Sequence, residues 1–386
     1  MHAEWRDRRG GVWSNPGLPM AGVAARGIAC RGRCAGGCRL MAGPSLLERE
    51  AGEAPALAAM QFERLEAVLP PLVERLSRCV PPLAATVARG SSDHAAAFAG
   101  YLFGLCLGLP TASLPPSLAS VYQRTLHLEH ALVLAISQSG AGPDVCAAVA
   151  SARAGGAFTL GLVNEVDSAL GHVVEAEITI GAGPERAVAA SKSFVLSLTA
   201  IMHLVAAWTG NAVLLGALKE LPSTLSGSST VDWRPAEALL RTSADAFVVG
   251  RGPTLPIARE IALKLKEVCG IHAEAVSAAE LLHGPIAIAS PTLPAIVLGG
   301  DQRTQATVEA AVSRLRAAGT PVTVLATAEH AAADGPGIIV MPQAAHPLLQ
   351  PIVAAHAMYP FFAALARARG RDPDHPPRLE KVTRTL

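Results

Sequence analysis

The sequence is poor in aromatic residues, in charge of either sign and in long apolar runs. Aromatic residues make up 4% of its 386 residues, so base-stacking platforms for nucleic acids are not expected. The formal net charge is +1, which argues against a nucleic-acid or membrane-surface partner. No apolar run reaches transmembrane length without turn residues and no secretory leader is evident, so we expect a cytoplasmic protein.

Metal-binding patterns are also weak. Cys30, Cys34 and Cys38 lie close together, but no fourth ligand follows at a spacing suited to zinc or an iron–sulfur cluster. His272 and Glu274 likewise lack a third ligand at suitable spacing. We therefore expect no metal site, and free thiols in a reducing compartment. The remaining cysteines fall singly in apolar or helical contexts: Cys79, Cys106, Cys146 and Cys269.

The length fits two domains of ordinary size, preceded by two segments of different character. Residues 1–43 are rich in arginine and glycine, and we interpret them as a disordered tail or a misassigned start, since Met41 begins a more ordinary sequence. Residues 44–80 carry apolar residues at helical spacing. They predict an N-terminal helical segment, broken at Pro70-Pro71.

From residue 81 onward, short apolar runs alternate with helical patterns. This predicts two α/β domains, 81–222 and 234–370, each a doubly wound, mainly parallel sheet with helices on both faces in three layers. The Ser-, Thr- and Pro-rich segment Leu221–Trp233 is the predicted linker. Arg89-Gly90 recurs as Arg251-Gly252 about 162 residues later, which indicates a tandem duplication. The predicted strands are Leu83–Ala88, Leu132–Ile136, Thr159–Val163, Glu177–Ile180, Ala246–Gly250, Ala295–Leu298 and Val322–Leu325.

Two serine-containing turns are candidates for anion binding. Ser137-Gln138-Ser139-Gly140 follows a predicted buried strand and opens a helix. Ligands of doubly wound sheets bind at the carboxyl ends of strands, where helix N-termini offer free backbone N–H groups. These features predict a phosphate cradle, although an ordinary helix cap has the same composition. Arg89-Gly90-Ser91-Ser92-Asp93 is a second turn of this kind in the same half.

Charged residues in the second half suggest proton transfer. Glu260, Lys264 and Glu267 are spaced by four and three, so they share one helix face. Surface ion pairs are the simpler explanation, but the rest of this helix is apolar, which favours a functional interpretation. His283 precedes Gly-Pro at a helix end or loop, where an imidazole can face a pocket and transfer protons at neutral pH.

Several motifs occur in a characteristic order: Ser137–Gly140, Ala187–Phe194, Ala262–Glu267, His272–Ala275 and Glu280–Pro285. With the tandem organisation, they resemble the sugar isomerase (SIS) domain family, from about residue 44 to the C-terminus. The resemblance is greatest to the isomerase part of glutamine–fructose-6-phosphate aminotransferases and to SIS-type glucosamine-6-phosphate deaminases. It implies two tandem SIS domains.

The resemblance also implies roles for individual residues. Glu267 matches the base that moves a proton between C1 and C2, and Lys264 matches the lysine that assists it. His283 matches the ring-opening histidine, which members of this family take from the partner subunit of a homodimer. Lys381, in a C-terminal active-site tail of residues 371–386, matches a lysine near the sugar hydroxyls. The implied sugar-phosphate ligands are Ser92, Ser137, Gln138, Ser139, Val188 and Glu380.

Two departures from the family shape the expected function. Gly142 stands where the family usually has Ser or Thr, so one phosphate-binding hydroxyl is missing. No glutaminase part is expected upstream, so ammonia chemistry in the breakdown direction is the natural expectation. We expect isomerising deamination of an amino-sugar phosphate, glucosamine-6-phosphate to fructose-6-phosphate plus ammonia, without metal or redox cofactor. The alternatives are a deglycase of sugar-phosphate/amino-acid adducts, an aldose–ketose phosphate isomerase and a non-catalytic sugar-phosphate sensor.

Overall fold

The computed structural model describes residues 43–329 and 337–381. Except for Gly43, the predicted N-terminal tail lies outside the described residues, as do Cys30, Cys34 and Cys38. The predicted C-terminal tail is described as far as Lys381.

The first half of the chain forms a five-stranded parallel sheet flanked by helices. Its strands are β1 (Ala84–Val87), β2 (Thr111–Ser113), β3 (Leu132–Ser137), β4 (Phe158–Val163) and β5 (Ala176–Thr179). Its helices are α1 (Leu46–Arg78), α2 (Ser91–Leu102), α3 (Ser117–Ser120), α4 (Pro143–Ala154), α5 (Ala169–Val173), α6 (Lys192–Trp208) and α7 (Ala212–Ser228). The strand order is β2-β1-β3-β4-β5. The central strands are buried along nearly their whole length, as expected for a parallel sheet covered on both faces.

The second half repeats this arrangement. Its strands are β6 (Asp245–Gly250), β7 (His272–Ser277), β8 (Ala295–Leu298), β9 (Val322–Thr327) and β10 (Ile338–Met341). Its helices are α8 (Arg234–Leu240), α9 (Thr254–Lys264), α10 (Ala278–His283), α11 (Gln305–Ala317) and α12 (Gln350–Ala368), with short 3₁₀ helices at Pro285–Ile288 and Pro347–Leu349. The strand order is β10-β9-β8-β6-β7, and all pairs are parallel.

The two sheets have the same connectivity, because β6 to β10 follow the order of β1 to β5. The predicted tandem α/β fold is therefore confirmed. Both α2 and α9 continue into a π-helical turn, Phe103–Leu107 and Leu265–Cys269, and each turn ends at a glycine with left-handed backbone. In each sheet the chain leaves two adjacent central strands in opposite directions, β1 and β3 or β6 and β8. Such switch points are where doubly wound folds bind ligands.

The predicted break in the N-terminal helical segment was wrong. The break at Pro70-Pro71 does not occur, since α1 continues through both prolines to Arg78. The buried face of α1 packs against α6, α7 and α12, and this packing outweighs the lost backbone hydrogen bonds. The predicted linker is helical as far as Ser228, because Leu221 and Leu225 are buried and extend the apolar face of α7.

The core between the two halves is built from α1, α6 and α12. Fifteen residues of α6 are buried, from Lys192 to Ala206. The segment Pro347–Ala368, which contains α12, is long and apolar enough to span a membrane, but 78% of its most apolar stretch is buried inside the protein. We interpret it as a core helix.

Candidate active site

The two serine-containing turns lie side by side at the switch point of the first sheet. Arg89–Ser92 follows β1 and Ser137–Gly140 follows β3, and these strands pair in parallel. Helices α2 and α4 start from the two turns, and neither N-cap residue, Gly90 or Gly142, supplies a side-chain cap. At the start of α2, the backbone N–H groups of Ser91 and Ser92 have no acceptor among the described residues and remain available to an anion. At the start of α4, Pro143 has no N–H group, and the N–H of Val145 donates to Asp144 Oδ1 at 2.9 Å.

Glycine is required at two positions of these turns. Gly90 has a φ of 56°, in the left-handed region that other residues rarely adopt. Gly140 has a φ of 59°, and a Cβ there would lie 2.3 Å from the Ser168 hydroxyl oxygen. Larger residues at either position would distort the turn that presents the serines.

The hydroxyls of this cradle are oriented to donate. Ser137 Oγ accepts from the backbone N–H of Gly140 at 3.0 Å, and Ser139 Oγ accepts from that of Ala141 at 3.3 Å. Within the described part of the chain neither O–H group has an acceptor, so both can donate to a phosphate oxygen. Gln138 and Ser92 are half-buried at the same edge. The four predicted cradle residues are thus brought together.

An ion pair that was not predicted ties the two turns to each other. The Arg89 guanidinium lies 2.8 Å from the carboxylate of Asp144 on α4, which is 2% exposed. Arg89 is half-exposed. It therefore offsets the charge of Asp144, which would otherwise repel a phosphate at this edge.

The predicted proton-transfer residues lie where α9 passes into its π-helical turn. Lys264 Nζ lies 2.8 Å from Glu267 Oε2 and 3.2 Å from Glu260 Oε1. The Lys264 and Glu260 side chains are 1% and 4% exposed, whereas Glu267, within the π-helical turn, is 24% exposed. Of the two carboxylates, Glu267 is therefore the one that a substrate can reach. π-Helical turns of this kind often occur at functional sites.

This cluster is bonded directly to the cradle helix of the first half. Ser91 Oγ donates to Glu260 Oε1 at 2.9 Å and accepts from Lys264 Nζ at 3.0 Å. His94 Nδ1 lies 2.7 Å from Glu260 Oε2. The phosphate cradle and the candidate base therefore belong to one site, formed where α2 meets α9.

The buried charges of this cluster stabilise each other. Burial alone would lower the pKa of Lys264, but the carboxylates of Glu260 and Glu267 outweigh it and raise that pKa. Burial would raise the pKa of Glu260, but Lys264 together with bonds from His94 and Ser91 holds it below its ordinary value. At neutral pH, Glu267 consequently lies beside a permanently charged ammonium group.

Lys381 lies against the loop that precedes α6. Its Nζ donates to the Ala187 carbonyl at 2.7 Å and lies 3.2 Å from Glu185 Oε2. Val188 is the next residue of this loop and is half-buried, whereas Glu380 is exposed. Lys381 thus reaches the loop that carries Val188, while Glu380 faces solvent.

Glu185 was not predicted and is fully buried. It accepts from the backbone N–H groups of Ser191 and Ser193 at 2.9 and 3.1 Å, at the start of α6. Burial would raise its pKa, but Lys381 and these hydrogen bonds lower it. Glu185 therefore stays ionised and anchors the tail lysine.

Tyr359 on α12 is a further buried titratable residue. Its hydroxyl has no hydrogen-bond partner among the described residues. Burial and the nearby carboxylates of Glu260, Glu185 and Glu267 raise its pKa well above the ordinary value.

His283 is the predicted site residue that the structure leaves apart. It ends α10 and is exposed, and within the described ranges it contacts neither Lys264 nor Glu267.

A separate cavity of about 450 Å³ lies at the carboxyl edge of the second sheet, lined by Arg251, Asp301 and the ends of β8 and β9. It is the counterpart of the serine cradle, but Asp301 Oδ1 already accepts from the backbone N–H groups of Arg303 and Thr304 before α11. Because this carboxylate is negatively charged and lines the cavity, the cavity is less suited to a phosphate than the turns of the first sheet. Among residues 43–329 and 337–381, no three His, Cys, Asp or Glu side chains are grouped to hold a metal.

Four residues of this region were not predicted as site residues, and the sequence indicates them to different degrees. Glu260 was noted on the helix face of Lys264 and Ser91 in the second serine turn, but neither was given a role in the site. His94 lies one turn after Ser91, but nothing local connects it to Glu260, which is 166 residues away. Glu185 lies in a loop without periodicity, and no sequence pattern indicated it.

Comparisons with known proteins agree with this architecture. The SIS domain family matches residues 84–207 and 239–368. Glutamine–fructose-6-phosphate aminotransferase (isomerizing) of Symbiobacterium thermophilum is 34% identical over 315 residues, 77% of this chain and 51% of that protein. The chain thus spans about half the length of the curated relatives it matches.

Solved structures show the same fold. A proposed phosphosugar isomerase from Silicibacter pomeroyi superposes with a TM-score of 0.76 and 37% identity, over 86% of this chain and 100% of the other. A glucosamine-6-phosphate deaminase from Thermotoga maritima gives a TM-score of 0.70 over 88% of this chain and 100% of the other, at 21% identity, which supports the fold alone.

Proposed function

This chain belongs to the SIS domain family, and we propose that it catalyses the isomerising deamination of an amino-sugar phosphate, glucosamine-6-phosphate to fructose-6-phosphate and ammonia. The observation that carries the proposal is the contact between Lys264 and Glu267, 2.8 Å apart, in a cluster bonded to the cradle helix through Ser91. A non-catalytic sugar-phosphate sensor would need the phosphate cradle, but it would not need a partly exposed carboxylate beside a buried ammonium group.

The proposed reaction follows from this geometry. The phosphate binds at Ser92 and Ser137–Ser139, which places the sugar carbons toward α9. In the open-chain form, Glu267 removes the proton at C2 and returns it to C1. The carbonyl oxygen gains a proton and the amine loses one, so the aldehyde and amine become a C1 alcohol and a C2 imine. Water adds to C2, ammonia leaves, and the ketose phosphate remains. The Lys264 ammonium stabilises the charge that develops near the carboxylate.

The test is turnover of glucosamine-6-phosphate by the purified protein, with ammonia and fructose-6-phosphate both quantified. Equal amounts of the two products support the proposal. Aldose–ketose interconversion without ammonia release would instead establish a simple isomerase, the second candidate, which the proposed activity of the Silicibacter pomeroyi relative favours. Binding of sugar phosphates without turnover of any amine-substituted sugar phosphate would establish a sensor.

We further propose that the active form is a homodimer in which His283 enters the partner's site, because the imidazole is exposed and forms no hydrogen bond or ion pair with Lys264 or Glu267 among the described residues. Mixing inactive His283→Ala with inactive Glu267→Gln should then restore activity. When the two variants assort at random, half of the dimers contain one chain of each. Each mixed dimer has one intact site out of two, so about a quarter of wild-type activity is expected. The measurement is ammonia release after the two variants are unfolded and refolded together.

Each variant refolded alone is the control and should stay inactive. If the mixture is no more active than the two controls while wild type regains activity, His283 acts within its own chain or not at all.

Gly142→Ser should tighten phosphate binding. The position is the N-cap of α4, and a Cβ there would have its nearest neighbour at 3.5 Å, so a serine fits without strain. One added hydrogen bond to a charged phosphate corresponds to roughly a tenfold lower KM. Gly142→Ala adds the same Cβ without the hydroxyl, and its KM should stay near the wild-type value. Equal KM values for the serine and alanine variants would place the phosphate elsewhere.

A further inference from the structure

The partners of Glu260 are divided between the two halves of the chain. Lys264 contacts Glu260 Oε1 from the same helix, and Ser91 donates to the same oxygen from α2. The second oxygen, Oε2, is held by His94 Nδ1 at 2.7 Å and has no other partner within the described residues. Because Glu260 is ionised, it can only accept, so the Nδ1 atom of His94 carries the hydrogen and donates it.

Lys264 is shared between two carboxylates that compete for it. Its Nζ lies 3.2 Å from Glu260 Oε1 and 2.8 Å from Glu267 Oε2. Glu260 is 4% exposed, so water cannot replace a lost hydrogen bond there. If Oε2 lost its donor, Glu260 would attract the nearest cation more strongly, and that cation is Lys264.

We propose that His94 is a positioning residue of this site, which satisfies Glu260 and thereby leaves Lys264 in contact with Glu267. His94 lies in the first turn of α2, two residues after Ser92, and its side chain is 16% exposed. Through Glu260 and Lys264 it connects the helix that starts from the phosphate cradle to the carboxylate proposed as the base. This inference relies on the proposed function only for its kinetic readout.

The test compares His94→Leu with His94→Asn. In His94→Leu, kcat should fall about 10- to 100-fold, the range for losing a hydrogen bond to a buried charge, while KM changes less than about threefold because the cradle is intact. The amide nitrogen of asparagine is as many bonds from Cα as Nδ1, so His94→Asn should recover most of kcat. Deuterium exchange at C1 and C2 of the substrate should follow kcat, because it reports the proton transfer.

Crystal structures of both variants provide a readout that needs no substrate. In His94→Leu the distance from Lys264 to Glu267 should lengthen beyond hydrogen-bonding reach, and in His94→Asn it should not. A kcat for His94→Leu within twofold of wild type, or an unchanged Lys264–Glu267 contact, overturns the inference. So does a lower melting temperature with unchanged kcat, which would show a purely structural role.

Two further outcomes are separated by this design. If wild type does not act on glucosamine-6-phosphate, the proposed function fails, and the crystal structures still decide the role of His94. If His94→Leu does not fold, His94→Gln is used instead. The amide nitrogen of glutamine is one bond further from Cα than Nδ1 of histidine, so it cannot donate to Glu260 in the same geometry.

Discussion

Glu267→Gln should lower kcat for ammonia release about 10³- to 10⁴-fold while KM changes less than about threefold. Glutamine has nearly the same shape as glutamate but cannot accept the C2 proton. The amide oxygen of glutamine can still accept a hydrogen bond from Lys264. The contact between Lys264 Nζ and Glu267 Oε2, which is 2.8 Å in the wild-type protein, therefore keeps a counterpart in the variant. The phosphate cradle belongs to the other half of the chain, which is why substrate binding should persist. The measurement is steady-state ammonia release, with C2 proton exchange followed by NMR.

Glu274→Gln is the matched control. Glu274 is an exposed glutamate on β7, in the same half of the chain, and the substitution removes the same charge. Its kcat should stay within about twofold of wild type, as for most surface substitutions. A Glu267→Gln enzyme that retains more than about a tenth of wild-type kcat would show that another group moves the proton.

The fold was predictable wherever burial imposes a continuous apolar run. Leu132–Ser137 and Phe158–Val163 are central strands, and their burial on both faces makes them recognisable. The strands Thr111–Ser113 and Ile338–Met341 were missed because they are short and lie at sheet edges, where partial exposure removes the apolar signal. The strand His272–Ser277, also at an edge, carries alternating exposed polar residues and was interpreted only as a motif.

The site was predictable where its residues share one element. Lys264 and Glu267 lie on one helix face, and their spacing alone placed them together. Their link to the first half depends on contacts between residues 166 to 173 positions apart, since His94 and Ser91 meet Glu260 and Lys264 only after α2 packs on α9. The spacing of residue types along the sequence identifies neighbours only within one helix or strand. Contacts between residues far apart in the sequence are determined by tertiary packing. The role proposed for His283 would require contacts with a second chain, which the spacing of residues along one sequence does not report either.

Lys264→Met should destabilise the protein by about 3–5 kcal/mol at neutral pH, the cost of removing one partner from a buried ion pair. Methionine fills a similar volume, so the loss is electrostatic rather than a packing defect. Glu260, 4% exposed, would keep only the hydrogen bonds from Ser91 and His94. Lys266→Met is the matched control, because Lys266 lies two residues further on and is exposed. It should change the free energy of unfolding by less than about 0.5 kcal/mol.

The destabilisation should depend on pH in a defined direction. In wild type the pKa of Glu260 is held below its ordinary value of 4.5, so its stabilisation is complete at neutral pH and is lost only as the pH falls through that lower pKa. Without Lys264, burial is the largest remaining influence, and the pKa of Glu260 rises. The variant then takes up a proton as the pH is lowered, which removes the unpaired charge. Urea unfolding at about pH 8 and about pH 5.5 should therefore show a smaller difference from wild type at the lower pH. A difference that stays constant or grows on acidification would mean that Glu260 is not the group left without a partner.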